Sequence, residues 1–171
     1  MATTASKSIR RKALKRVRSG AVARPSLGNT NELARVYTLG AVERIALAKH
    51  GVPAADFSRF AQSLGTPKEG LMRMLGLPRA TVDRKVRARQ PLSVEHSERV
   101  IGFAKLVGQV KAMVDESGDP TGFDAGRWLA DWLARPLPAL RGHRPAEYMD
   151  TSEGQQLVAG LLGRMQSGAY A

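Results

Sequence analysis

Residues 132–171 read WLARPLPALRGHRPAEYMDTSEGQQLVAGLLGRMQSGAYA, and the order of breakers and apolar pairs in this stretch decides the fold. Trp132-Leu133 closes a helix, Pro136 and Pro138 break the chain, and Leu140, Gly142 and Pro145 shape a turn. Tyr148-Met149 supplies a short apolar anchor. Thr151 or Ser152 opens a last helix that runs to about Gln166, and Gly168 stops it just before Tyr170. Leu157, Val158, Leu161, Leu162 and Met165 form its apolar face, with Gln155, Gln156, Arg164 and Gln166 on the outer side. No catalytic constellation lies here, so the stretch reads as a surface for another protein.

Working back from Trp132, the pattern stays helical and no alternating strand run occurs. Thr121 starts the helix that ends at Ala134, and the Ser-Gly-Asp-Pro run at 117–120 separates it from a long helix capped by Ser93 and reaching about Asp115. Val100, Ile101, Ala104, Val107 and Val114 recur in that long helix near helical spacing. Pro78 opens a helix to about Ala88, and Thr66-Pro67-Lys68-Glu69 reads as a capping box for a short helix ending at Leu75-Gly76. Pro53 to Leu64 forms another, with Phe57, Phe60, Ala61 and Leu64 on one face. A first helix spans about Glu32 to His50, capped by Asn29-Thr30-Asn31 and closed by Gly51.

Residues 67–88 fit a helix-turn-helix. Leu71, Leu75, Leu77, Val82 and Val86 occupy the apolar positions and Gly76 the turn, while Met72 stands where a small residue is usual and is expected to splay the pair. The second helix then offers Arg79, Thr81, Arg84, Lys85 and Arg87 for DNA, as phosphate clamps or as an arginine reading guanine. A merely solvated basic face, or a scaffold kept for dimerisation, makes the same pattern.

Charge divides the 171 residues, whose net charge is +12. Residues 1–31 carry eight Lys/Arg and no acid, residues 32–114 fourteen basic and seven acidic side chains, and residues 115–171 five basic and eight acidic. The front suits a polyanion and the back does not. Residues 1–28 read as a disordered basic tail that also resembles a mitochondrial presequence in composition. There is no cysteine, which excludes disulfides and thiolate metal sites, and no long apolar run to span a membrane. His50, His96 and His143 lack metal-ligand spacing, and the Asp115-Glu116…Asp119 group lacks calcium-loop spacing, so neither a metal nor a cofactor is expected. Trp128 and Trp132 share one helix face, as core anchors or with one of them partly exposed at an interface. The end, Gly168 to Ala171, reads as a frayed terminus or as an aromatic tip with a free carboxylate suited to a pocket.

The order Trp132-Leu133, Pro136, Leu140, Gly142, Pro145, Tyr148-Met149, Thr151-x-x-Gly154 and Gly168-x-Tyr170 resembles the toxin-binding domain of Xre/ParS/MbcA-type antitoxins. The upstream run Leu75-Gly-Leu-Pro…Thr81-Val82-x-Arg84…Pro91-Leu92-Ser93…Ser97-Glu98-Arg99 is similar to the Xre-like helical domain before it, so the match covers about Leu64 to Ala171. Two positions depart from it: Arg141 stands where the family often has a second glycine, and Leu137 where it often has asparagine. The resemblance implies an all-α protein, with an Xre-like helix-turn-helix bundle over 29–117 and a small toxin-binding domain over 118–171. It implies a cytoplasmic bacterial antitoxin, not an enzyme, that covers the cleft of an NAD-using RES-domain toxin, forms a homodimer and binds operator DNA. The toxin-binding residues so implied are Trp132, Leu140, Tyr148, Met149, Thr151, Arg164, Gly168, Ala169, Tyr170 and Ala171. A stand-alone DNA-binding regulator is the alternative, with a helical enzyme behind it.

Overall fold

A computed structural model describes Leu27 and residues 30–168, so the expectations placed on the rest of the basic tail and on Ala169, Tyr170 and Ala171 fall outside the described residues. Eight helices follow one another there: α1 Thr30–Thr38, α2 Ala41–His50, α3 Asp56–Ser63, α4 Lys68–Met74, α5 Arg79–Arg87, α6 Val94–Ser117, α7 Ala125–Leu133 and α8 Ser152–Gln166. Among the described residues there is no strand beyond one isolated bridge, Pro53 with Pro91. None of the described helices is long and apolar enough to cross a membrane.

The mast is α6. Ser93 caps it, its side chain accepting from the His96 amide at 3.3 Å. Ser97, Val100, Ile101, Ala104 and Val107 are buried on one side and Phe103, Leu106 and Val110 on the other, so the helix is apolar around much of its circumference and must be surrounded. The helices α1, α2, α7 and α8 all pack against it. Phe103 meets Phe60 edge-on, with centroids 5.7 Å apart, and Phe60 meets Phe57 at 6.0 Å, which draws α3 into the same core. The boundary expected near 117 coincides with the end of α6, yet α6 buries residues of both halves. Leu27, inside the span assigned to the tail, is itself buried.

Four local expectations are corrected. The first helix is two, because Gly40 takes an extended conformation and its amide donates to Glu43 Oε2 at 2.7 Å, which starts α2 afresh. The capping box at Thr66 does not form. Pro67 is extended and takes the N-cap place, so Glu69 comes one residue too early, and the Thr66 hydroxyl donates to the Leu64 carbonyl instead. Helix α7 begins at Ala125 rather than Thr121, because the Thr121 amide is bound by Asp119 Oδ1 at 2.9 Å in a turn and Asp124 caps Arg127 at 3.0 Å. On α8, Gln155 is buried and Leu157 is exposed, the reverse of the expected faces. The helix expected from Pro53 begins only at Asp56, while the ends of α8 agree: Thr151 caps it through Gly154 at 3.0 Å, and Gln166 is its last residue.

Candidate functional site

Two surfaces carry unspent chemistry. The first is the helix-turn-helix. Helix α4 buries Leu71 and Met72, and the Leu77 amide returns to the Met72 carbonyl at 2.8 Å, closing the helix end. Gly76 has φ 60°, the left-handed geometry that lets the chain reverse here. Pro78 then presets the first turn of α5, and its carbonyl accepts from the Thr81 and Val82 amides. Val82 is fully buried and Val86 half-buried, which fixes the other side of α5 toward solvent. The larger Met72 is taken into the core with Leu71 and Leu75.

Of the five DNA candidates, Arg79, Arg84 and Arg87 are exposed together on α5. Thr81 is half-buried, and half-buried Lys85 donates to the Pro91 carbonyl at 2.8 Å, so it faces away from the arginine row. Asp83 lies within this row, held by Lys68 at 3.2 Å and Arg79 at 3.5 Å. The Lys68 hydrogen bond, aided by Arg79, keeps its carboxyl below the usual carboxylate range. Sequence reasoning passed over Arg73, exposed at the end of α4, which with Arg79, Glu69, Met72 and Leu77 lines a depression of about 360 Å³ beside the turn. Its place in the last turn of the first helix was the available signal. Beneath the turn, Arg99 of α6 donates to the Gly76 carbonyl at 3.0 Å and the Leu75 carbonyl at 3.3 Å, and pairs with Glu95. Neighbouring His96 is pushed down by burial and by Arg99, and its Nδ1 is buried without a partner among the described residues.

The second surface is built by α7, the turns after it and α8. Phe123, Trp128 and Trp132 form an aromatic row, with Trp128 stacked on Trp132 at 6.1 Å and 9° and Phe123 tilted on Trp128 at 6.2 Å. Trp132 is interior, Trp128 half-buried and Phe123 exposed, so the exposed edge is at Phe123, a residue not singled out from sequence. Two short 3-10 turns follow, Pro138–Leu140 and Pro145–Tyr148. The Leu137 carbonyl accepts from the Leu140 and Gly142 amides and the Leu137 amide donates to the His143 carbonyl, each at 3.0 Å, which closes residues 137–143 into a hydrogen-bonded ring. His143 pairs with Glu147 at 3.0 Å and lies edge-on to Tyr148, and that hydrogen bond holds the Glu147 carboxyl low.

Among the toxin-binding candidates, Thr151 and Arg164 are exposed, Tyr148 is half-buried, and Gly168 ends the described chain at φ 70°. Trp132, Leu140 and Met149 are interior, so they shape the face from beneath rather than present it. Gln155, buried, donates from Nε2 to the carbonyls of Arg99 at 3.0 Å and Met149 at 2.9 Å, fastening α8 to α6 and to the preceding turn. The outer side of α8 shows Glu153, Gln156, Leu157, Gly160 and Arg164. No group of three or more His, Cys, Asp or Glu able to hold a metal occurs among the described residues.

The comparisons with known proteins fall on these two surfaces. Residues 43–105 match the family profile described as an antitoxin Xre-like helix-turn-helix domain, and residues 123–168 that of the antitoxin Xre/MbcA/ParS C-terminal toxin-binding domain. The chain is 48% identical over 136 residues to the protein named Prs ADP-ribosylating antitoxin of Sphingobium sp., which covers 80% of this chain and 86% of the relative. It is 28% identical over 106 residues to an Antitoxin Xre of Yersinia enterocolitica, covering 61% of this chain and 66% of that one. To an Antitoxin Xre of Photorhabdus laumondii it is 20% identical over 123 residues, 72% and 78% of the two chains.

Proposed function

The chain belongs to the Xre/MbcA/ParS antitoxin family, and from that premise we propose that its C-terminal unit covers the active-site cleft of an NAD-using RES-domain toxin. It is an antitoxin of a type II toxin–antitoxin system, and its partner is a toxin. The observation that carries the cleft reading is Leu157, left 41% exposed in the middle of α8 while Val158, Leu161 and Leu162 beside it are fully buried. An exposed apolar side chain rimmed by Glu153, Gln156 and Arg164 has the make-up of a protein-docking face. The relative's name couples its antitoxin to ADP-ribosylation, which favours that chemistry over NAD degradation for the toxin here. The action belongs in the bacterial cytoplasm and is inhibition by binding, without turnover.

In this reading Trp132, Leu140 and Met149 support the face, Tyr148, Thr151 and Arg164 border it, and Gly168 to Ala171 extend it into the cleft. Removing residues 168–171 is expected to weaken neutralisation, measured as survival of cells co-expressing the toxin, with thermal unfolding unchanged. Full protection by the truncated chain removes the plugging role and leaves α8 as the covering element.

The arginine row favours operator binding as a second activity of the same chain. Arg79, Arg84 and Arg87 face solvent on the second helix of a helix-turn-helix, as a groove-reading helix requires. Arg79→Ala with Arg84→Ala is expected to weaken operator binding and to lower the slope of log K against log salt by about one for each phosphate no longer neutralised. Binding that survives both changes but disappears with residues 1–28 transfers the role to the tail. A homodimer fits the exposed Val42 and Ile45 on α2, of which Ile45 lines a groove of about 320 Å³ between α2, α6 and α8.

A further inference from the structure

Arg141 has φ 55° and ψ 35°, left-handed backbone that glycine adopts freely and residues with a Cβ seldom do. The conformation is imposed, not loose: the Arg141 amide donates to the Pro138 carbonyl at 2.9 Å inside the closed ring of residues 137–143. The Arg141 side chain is exposed and forms no hydrogen bond, ion pair or ring contact among the described residues, whereas nearby His143 is tied to Glu147 and the Arg144 amide to Glu147 Oε1 at 3.2 Å. An uncompensated backbone outlier on a rigid, exposed turn points to a role outside the fold.

Charge narrows that role. Residues 115–171 hold five arginines against eight carboxylates, yet Arg135, Arg141 and Arg144 fall together with no acid between them, all exposed. Asp131 precedes the cluster and Glu147, Asp150 and Glu153 follow it. Carboxylates on both flanks repel a phosphate backbone, whereas a folded protein surface accommodates both signs. We propose that Arg141 is a specificity contact of the toxin-docking surface, its guanidinium meeting a carboxylate on the toxin and excluding toxins that lack one. The inference rests on the reading of the C-terminal unit given under Proposed function. The fixed turn means that little conformational freedom is given up on docking, and a guanidinium suits a bidentate carboxylate pair.

The test uses the full chain and its purified cognate toxin, with affinity by surface plasmon resonance and unfolding by calorimetry. Arg141→Gly removes the charge and relieves the backbone, so it is expected to raise Tm by about 2 °C while speeding toxin dissociation about tenfold. Arg141→Glu is expected to weaken binding about a hundredfold, and Arg141→Lys, which keeps the charge and the strained backbone but loses the planar fork, to weaken it less than Arg141→Gly does. If Arg141→Gly gains stability and binds as wild type does, the residue is tolerated strain and the proposal falls. If Arg141→Glu weakens operator binding and not toxin binding, the turn belongs to the DNA surface and the proposal falls. A wild-type chain that holds no toxin overturns the docking reading and this inference together, which separates that failure from the other two.

Discussion

Gly108→Ala is expected to lower the unfolding free energy by about 2–3 kcal/mol, although alanine is the better helix former. In the middle of α6 a Cβ at this position meets Tyr37 Cβ, with the Ala34 carbonyl oxygen at 2.9 Å and the Ala34 Cα at 3.0 Å. Two of these neighbours are backbone of α1, so relief requires the whole helix to move outward. That motion loosens Leu33 and Val36, both fully buried against the core. The intrinsic gain of alanine over glycine in a helix, about 1 kcal/mol, is the opposing term and is smaller. Gly163→Ala isolates that term: among the described residues nothing beyond its chain neighbours and its own helix's backbone lies within 4 Å of its Cβ, so it is expected to stabilise by about 0.5–1 kcal/mol. For a chain of this length the Gly108 change corresponds to a Tm lower by about 5–10 °C. Calorimetry of the two variants checks the opposite signs, and equal signs would show that α1 does not clamp α6.

That clamp could not be read from sequence, and the reason is physical. Periodicity marks which residues turn inward, not which helix approaches closely enough to forbid a Cβ, so Gly108 looks like any helical glycine. Chain-local signals behave differently. Ser93 and Thr151 satisfy helix amides three residues on, Gly76 is the reversal it resembles, and the helix-turn-helix packs through the leucines named for it. Misreadings come where two local signals compete. Asp119 captures the Thr121 amide before a helix can start, and extended Pro67 takes the cap place from Thr66. On α8 the apolar run 157–158 and 161–162 leaves the inward direction ambiguous by one residue. The outcome is set by Gln155, whose Nε2 donates to the Arg99 carbonyl of α6 and to the Met149 carbonyl of the preceding turn. The same limit applies to the candidate site. An aromatic or leucine named as a contact residue can equally be interior, and Trp132, Leu140 and Met149 are, whereas a charged residue such as Arg84 or Arg164 has little choice but the surface.

Gly154→Ala is expected to cost about 4 kcal/mol and to separate toxin neutralisation from the operator binding proposed for the same chain. Its Cβ would fall inside contact distance of the Tyr148 carbonyl oxygen, with Tyr148 C and Thr151 Oγ1 each at 2.8 Å. The obstacle is the backbone of the Pro145–Tyr148 turn, so the start of α8 must lift away. The Thr151 cap on the residue-154 amide then breaks, at about 1 kcal/mol. Gln155 moves with it, so the Met149 carbonyl loses its side-chain partner and the Arg99 carbonyl keeps only its bond within α6, at about 1–3 kcal/mol together. These penalties concentrate where α8 meets the turn, while α4 and α5 keep their own packing through Leu71, Leu75, Leu77 and Val82. Amide exchange is therefore expected to accelerate over residues 145–166 and to stay slow in α4 and the buried side of α5. Toxin neutralisation should fail at growth temperature while operator binding is retained. If both activities fall together, the Arg99 link from the helix-turn-helix turn through Gln155 to α8 makes the chain one cooperative unit, and toxin docking and DNA binding cannot be separated by a change confined to the C-terminal half.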